Sequence, residues 1–335
     1  MTRERTRGRR IAEGCLLVVA GLAVGLVAGE ALLRLKIIAP PRQIVRGNGL
    51  RQIDGVPVWA DGTELENREC VAAHPERLRL LFFGSSITRG AGLDRAEVFT
   101  TRLQDRLNEL RPDPGFCVMN FAQPGFGHEQ YHALASENVP RYRPALVFDQ
   151  DWDLTWGGTD TAHTEYRMIG DAAYFLANAR IRSDGFPGLK GVPDGLNRAL
   201  FLHSYLYQYL TLAFAETSPF QTTDEGESTR YRSAQLLKFA ALVRSVGAKP
   251  AFHIVADLSY PLSGMRLEER EQERPILELA KREGFAVVVL RDLLSDQDNA
   301  AVRMDAWHLN GEGHRVLAER LVPVVLGLVD ERSPP

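Results

Sequence analysis

Leu78-Arg79-Leu80-Leu81-Phe82-Phe83-Gly84-Ser85-Ser86-Ile87-Thr88-Arg89-Gly90-Ala91-Gly92 is the stretch on which the fold turns. A short apolar run closed by glycine and serine reads as a strand buried on both faces and ending in a tight turn. The same grammar repeats on either side. Phe99 to Leu110 carries Leu103, Leu107 and Leu110 at helical spacing, and Phe116 to Phe121 is a second strand. Ala145 to Phe148, introduced by Arg143-Pro144, is a third. Further on, a helix from Ala234 to Val246 is closed by Gly247 and followed by a strand from Pro250 to Val255. A helix from Pro275 to Arg282 is closed by Gly284 and followed by a strand from Phe285 to Leu290, and a last helix runs from Gly311 to about Leu328. Strands alternating with helices predict a parallel sheet covered by helices on both faces.

The rhythm breaks at about 154–230. This stretch holds an apolar, aromatic segment from Leu200 to Phe214 between Gly- and Pro-rich loops. Such an insertion reads either as a cap over a site or as a surface excursion. Pro40-Pro41 end the apolar segment, and residues 39–76, polar and Gly-rich from 42 on, read as a linker or edge extension.

The N-terminus carries the compartment signal. Arg3, Arg5, Arg7, Arg9 and Arg10 precede an apolar run, and between Ile11 and Leu33 the only charges are Glu13 and Glu30. A helix of that length rises about 34 Å, enough for a bilayer core. Residues 1–10 are therefore expected to be a cytoplasmic basic tail and 11–38 a single transmembrane anchor, with the body outside the cytoplasmic membrane. A cleaved signal peptide shares the basic start, with small residues at Val27-Ala28-Gly29. The return of apolar character at Leu32, Leu33, Leu35, Ile37 and Ile38 favours an anchor over cleavage, and the five leading arginines fit a third reading, a buried globular helix, poorly.

The whole chain of 335 residues has a net charge of −3, yet residues 1–36 hold seven Lys/Arg against three Asp/Glu. The body is thus mildly acidic and shows no basic stripe with interleaved aromatics, which argues against nucleic acid as a partner. Cys15, Cys70 and Cys117 show no CxxC or zinc-like spacing. For an extracytoplasmic body, a Cys70–Cys117 disulfide and buried free thiols are the two readings.

Two blocks carry chemistry. Ser86 lies on the Gly-rich turn beyond the first strand, where ligands bind in open parallel sheets. There its hydroxyl is exposed beside a helix N-terminus. Two hundred residues later, Met304-Asp305-Ala306-Trp307-His308-Leu309-Asn310-Gly311-Glu312-Gly313-His314 precedes the last helix. On one loop, the Asp305 carboxylate can hold the His308 Nδ1–H while Nε2 faces outward to take a serine proton. His314 falls inside the helical pattern and reads as structural.

Together these blocks resemble the SGNH (GDSL-like) hydrolase family, over about residues 77–325 and especially its membrane-anchored bacterial members. Gly84-Ser85-Ser86 matches the family's Gly-Asp-Ser block with Ser85 in the Asp place. Asn120-Phe121-Ala122-Gln123-Pro124-Gly125-Phe126-Gly127, followed by Gln130, is similar to the glycine block after strand two. Arg141-Tyr142-Arg143-Pro144 before strand three is similar to the family's text as well. Asp305 and His308 match the closing Asp-x-x-His. The third block departs: where the family has Gly-x-Asn-Asp, this chain has Asp149-Gln150-Asp151-Trp152-Asp153, with Trp152 in the Asn place.

The resemblance implies a three-layer α/β/α domain over 77–330, with a mainly parallel five-stranded sheet in flavodoxin-like order. It implies Ser86 as nucleophile, His308 as base, Asp305 as its partner, and the Ser86 and Gly125 N–H groups as oxyanion donors. Either Gln150 or the Trp152 indole N–H replaces the missing Asn, or the site keeps only two donors. The expected activity is extracytoplasmic hydrolysis of acyl esters of glycans, lipids or small molecules. An O-acyltransferase and a catalytically weak glycan-binding protein on the same fold are the alternatives. No organic cofactor is called for. Asp149, Asp151 and Asp153 are expected to alternate faces at the strand end, so that at most two converge, too few for a metal site.

Overall fold

The computed structural model describes residues 21, 24–35, 44–46, 50–59, 64–152, 166–169, 172–175, 186, 188–189, 191–214, 225–255 and 274–331. Its centre is a five-stranded sheet of β1 (Leu78–Phe83), β2 (Phe116–Asn120), β3 (Leu146–Trp152), β4 (Lys249–Val255) and β5 (Ala286–Val289). The strand order is β5-β4-β3-β1-β2 and every pairing is parallel. This is the flavodoxin-like order expected from the sequence.

Alternation along the strands feeds two separate cores. Leu80, Phe82, Leu146 and Phe148 pack against α1 (Phe99–Leu110) and α5 (Gly311–Asp330). Leu81, Phe83 and Val147 pack on the other side among residues of α2 (His128–Tyr142), α3 (Glu225–Ser245) and α4 (Arg274–Arg282). With both faces covered, the strands read as continuous apolar text.

Helix α2 was not anticipated. Its fifteen residues mix His128, Glu129, Gln130, His132, Ser136, Glu137 and Asn138 with few large apolar groups, and Pro140 lies in its last turn. Strand β3 also runs past the expected Phe148 to Trp152. Asp149, Gln150 and Asp151 are polar yet fully buried, so apolar patterning ended the strand too early. Residues two apart share a face of a strand, so the expected alternation of Asp149, Asp151 and Asp153 was mistaken. Asp149 and Asp151 both face α2, while Asp153 lies outside the described residues.

Much of the expected linker belongs to the body. Strands Leu50–Ile53 and Val56–Trp59 form an antiparallel hairpin that buries Ile53 and Val58 in the α2-side core. Arg51 forks onto Glu137 of α2 through two hydrogen bonds of 2.6 Å. The short helix Arg68–Ala73 brings Cys70 to β2, where it forms a disulfide with Cys117 across a Cα–Cα distance of 5.8 Å.

Contacts divide the chain into two units, Met1–Gly47 with Glu165–Phe220, and Asn48–Thr164 with Gln221–Pro335. In the first unit, strands Tyr166–Ile169 and Ala172–Phe175 form a hairpin that Ile44–Arg46 extends. The apolar segment expected from Leu200 to Phe214 is two helices, Asp194–His203 and Tyr205–Phe214, parted at Ser204. Residues 24–34 are helical. Within that unit, Glu30 accepts hydrogen bonds from the Tyr205 and Leu206 N–H groups and the Ser204 hydroxyl, so its carboxylate caps the second helix. Most of the expected anchor, 11–38, lies outside the described residues. Among those described, no helix is long and apolar enough to cross a membrane.

Candidate active site

Strand β1 delivers the chain to Gly84 at the C-terminal edge of the sheet. A Cβ at Gly84 would come within 2.5 Å of Gln150 Oε1 and 2.6 Å of Thr88 Oγ1, so only glycine fits there. Ser85 then caps, and Ser86 begins, a single helical turn, Ser86–Arg89. The first N–H groups of a helix have no partner within it, which leaves the Ser86 N–H available at the rim. Gly90 ends the turn at φ 69°, a left-handed conformation that suits glycine.

The turn is fixed from below by buried polar groups. Gln150 Oε1 accepts from the Ser85 N–H at 3.0 Å and from the Thr88 hydroxyl at 2.6 Å. Gln150 Nε2 donates to Ser85 Oγ at 2.8 Å. On the far side, Asn120 donates to the Thr88 carbonyl at 2.7 Å and accepts from the Ala122 N–H at 3.0 Å. The Gln123 N–H donates to the Gly84 carbonyl at 3.0 Å. The nucleophile turn and the glycine turn are thereby stitched into one rim. Gly125 sits on that rim at φ 79°, exposed.

The Asp305–His308 loop completes the arrangement. An antiparallel bridge between Arg303 and Leu309 closes it, and the Met304 N–H donates to the His308 carbonyl at 2.7 Å. His308 Nε2 lies 2.9 Å from Ser86 Oγ. His308 Nδ1 lies 2.8 Å from Asp305 Oδ2, and Asp305 Oδ1 accepts the Trp307 and His308 N–H groups, each at 2.8 Å. Partial burial disfavours the charged Asp305 carboxylate, but the Trp307 N–H, the His308 ring and the His308 N–H outweigh it. Its pKa falls below the ordinary carboxylate value. Ser86 and the Asp305–His308 loop, distant from it in sequence, thus meet in a chain of hydrogen bonds suited to deprotonating a hydroxyl.

His314 has the structural place expected of it. Buried under α1, its Nδ1 accepts the Phe99 N–H at 3.0 Å, and burial, then the charges of Arg102 and His308, pushes its pKa down to about 4. Of the two replacements for the missing Asn donor, the Gln150 amide is committed to Ser85. The Trp152 backbone pairs with Val255, and its side chain lies outside the described residues.

Sequence reading missed the polar layer beneath the rim: Asn120, Thr88, His253, His128, His132 and Arg232. Thr88 Oγ1 lies 2.8 Å from His253 Nε2, and burial pushes the His253 pKa down to about 4. One signal was legible. His128 and His132 stand four apart, hence on one helix face.

No family model and no curated protein matches the chain. Three solved structures similar to it are TesA, the α/β hydrolase LAE5 from the metagenome of Lake Arreo, Spain, and the acetylxylan esterase Axe2 from Geobacillus stearothermophilus. TesA is 18% identical with a TM-score of 0.42, covering 75% of this chain and 99% of its own. LAE5 is 14% identical with a TM-score of 0.44, covering 77% and 97%. Axe2 is 16% identical with a TM-score of 0.41, covering 75% and 94%. At these identities and scores the likenesses add nothing to what the chain's own geometry supports.

Proposed function

We propose that this chain is an SGNH-type serine esterase that cleaves acyl esters through a Ser86 acyl-enzyme. One observation carries the reading: the unbroken link from Asp305 through His308 to the Ser86 hydroxyl, 2.8 and 2.9 Å long. His308 Nε2 takes the Ser86 proton as Oγ bonds to the acyl carbon, and Asp305 stabilises the imidazolium. The Ser86 and Gly125 N–H groups hold the tetrahedral oxyanion. His308 returns the proton to the leaving alkoxide, and water, activated by the same imidazole, releases the acid and restores Ser86.

The proposal includes location: a single-pass anchor over 11–38 with the body outside the cytoplasmic membrane, acting on envelope or exported glycans, lipids or small acyl esters. The five arginines ahead of the apolar run support it, as does the Cys70–Cys117 disulfide, a bond characteristic of oxidising compartments.

The test is hydrolysis of aryl acetate and aryl butyrate by the full chain in detergent, with Ser86→Ala as control. Hydrolysis that disappears in Ser86→Ala is the expected result. Acyl-enzyme formation without turnover, relieved by a sugar acceptor, would point to an O-acyltransferase. Absence of both acylation and hydrolysis in the folded protein would leave only the glycan-binding alternative.

A further inference from the structure

Beneath the rim, on the α2 face of β3, the structure gathers buried groups that the ester chemistry does not use. His128 Nε2 lies 3.2 Å from Asp151 Oδ1. Asp151 is in turn paired with Arg232, whose Nε donates to Oδ2 at 3.1 Å. The Asp151 carboxylate thus accepts the His128 Nε2–H and leaves Nδ1 as the ring's lone-pair nitrogen. That Nδ1 is buried, has no hydrogen-bond partner and lies 4.0 Å from Asp149 Oδ2.

His132, one helical turn on, repeats the pattern. Its Nδ1 is 3.1 Å from the Gln235 side-chain oxygen, and in the tautomer whose Nδ1–H donates there Nε2 carries the lone pair. Nε2 points at the same Asp149 Oδ2 at 3.1 Å. Asp149 itself is wholly buried, and its other oxygen is also without a partner. Among the described residues its ion pairs are with these two histidines alone. With both rings neutral, the form in which imidazole binds a metal, this buried carboxylate faces two lone pairs and lacks the counter-charge it needs.

We infer that His128 Nδ1, His132 Nε2 and the Asp149 carboxylate form a binding site for a divalent metal ion of the zinc class. The three donor atoms lie within 4.8 Å of one another. A tetrahedral zinc with ligands at about 2.0–2.1 Å sets them about 3.3 Å apart, a spacing bracketed by the observed 3.1 and 4.0 Å. Two imidazoles and one carboxylate suit zinc better than calcium or magnesium, which take oxygen. Asp151 on His128 and Gln235 on His132 are the outer partners that orient metal-binding imidazoles. Asp149 Oδ1 or a water completes the coordination. The ion would tie the first turn of α2, directly after the Gly125 turn, to β3 beside Gln150. The site stands apart from the Ser86 reading, and its test needs no hydrolysis.

The experiment uses the untagged full chain in detergent, stripped with a chelator and titrated with zinc chloride by calorimetry. One zinc per chain is expected. At about 100 times the dissociation constant, zinc should raise the thermal midpoint by roughly 5 °C or more. Gln235→Leu should weaken binding by about 10–100-fold, and Asp149→Asn should abolish it. X-ray absorption at the zinc edge of the unmutated protein should show two imidazoles, independently of how any variant folds. A stripped protein that takes up no zinc would overturn the assignment, leaving a histidine–carboxylate hydrogen-bond network only. So would uptake equal in the unmutated chain, Asp149→Asn and His132→Ala.

Discussion

Gln150 grips Ser85 at both ends, accepting from its N–H at 3.0 Å and donating to its hydroxyl at 2.8 Å. The neighbouring Ser86 carries the proposed nucleophile, so a side chain from the central strand sets the height and tilt of the whole turn. Gln150 touches no reacting atom; it is a positioning residue.

Gln150→Leu keeps the volume but leaves the Ser85 N–H and hydroxyl unpartnered in a buried place. Each such group costs about 1–3 kcal/mol, so stability should fall by a few kcal/mol in denaturant titration. A nucleophile displaced by an ångström loses on the order of 10²-fold in rate. Turnover of an aryl ester should therefore fall about 10–100-fold with KM little changed. An unaltered kcat in folded Gln150→Leu would show that the strap does not position Ser86.

His314 gives a pH dependence. Burial holds its folded pKa near 4, below the ordinary 6.5, so the unfolded chain binds more protons between those values. The stability it contributes is fully present above about pH 6.5 and is lost as pH falls towards 4. For a shift of that size the loss is on the order of 3 kcal/mol. His253 acts in the same direction. His128 acts oppositely, its raised pKa arising where the Asp151 hydrogen bond and charge outweigh burial. Asp151, held down to about 2 mainly by Arg232 against the effect of burial, titrates below this window. Comparing urea midpoints of the unmutated chain and His314→Gln from pH 7 to 4 isolates the one group. The glutamine carbonyl can still accept the Phe99 N–H, and its profile should be flatter over that interval. Parallel profiles would contradict the burial argument.

The disulfide and the topology can be checked together. A C-terminal alkaline phosphatase fusion should be active, and protein from membranes should show Cys70 joined to Cys117 in non-reducing peptide mass mapping. By the chain-entropy account, opening a cross-link between residues 47 apart removes up to about 4 kcal/mol. Reduction should therefore lower the denaturation midpoint. An inactive fusion with free thiols at both positions would place the body in the cytoplasm.

The strands and most helices of the sheet were legible because both faces are buried, which writes them as runs such as Leu80-Leu81-Phe82-Phe83. Ser86, Asp305 and His308 were legible because they occupy turns whose residue types suit a serine–histidine–aspartate relay, whereas Gly125 was indicated by the family resemblance alone. Helix α2 and the end of β3 were not legible. There many of the buried residues are histidines, aspartates and a glutamine, and apolar periodicity is blind to groups that meet across 17 to 103 positions, as His132 does with Asp149 and Gln235. The hairpin at Leu50–Trp59 was missed for a different reason. It places Ile53, Val58 and, in part, Val56 in the α2-side core, a short apolar pattern that does not stand out in polar text.

The oxyanion site offers the last prediction. With the Gln150 amide bound to Ser85 and Trp152 in the expected Asn place, the oxyanion is proposed to rest mainly on the Ser86 and Gly125 N–H groups. Trp152→Asn should leave turnover unchanged or raise it, by up to the roughly 10²-fold that one restored donor supplies. At Gly125 the φ of 79° complicates the obvious change, because proline both deletes the N–H and cannot adopt that angle. Gly125→Ala keeps the N–H and carries only the left-handed strain, about 1–2 kcal/mol, so it serves as the reference. Gly125→Pro should fall at least 10²-fold further in kcat than Gly125→Ala, with circular dichroism showing both folded. Equal losses in the two variants would mean that the turn's shape matters and its N–H does not. Loss of all activity in folded Trp152→Asn would instead make the indole a donor or a wall of the substrate pocket.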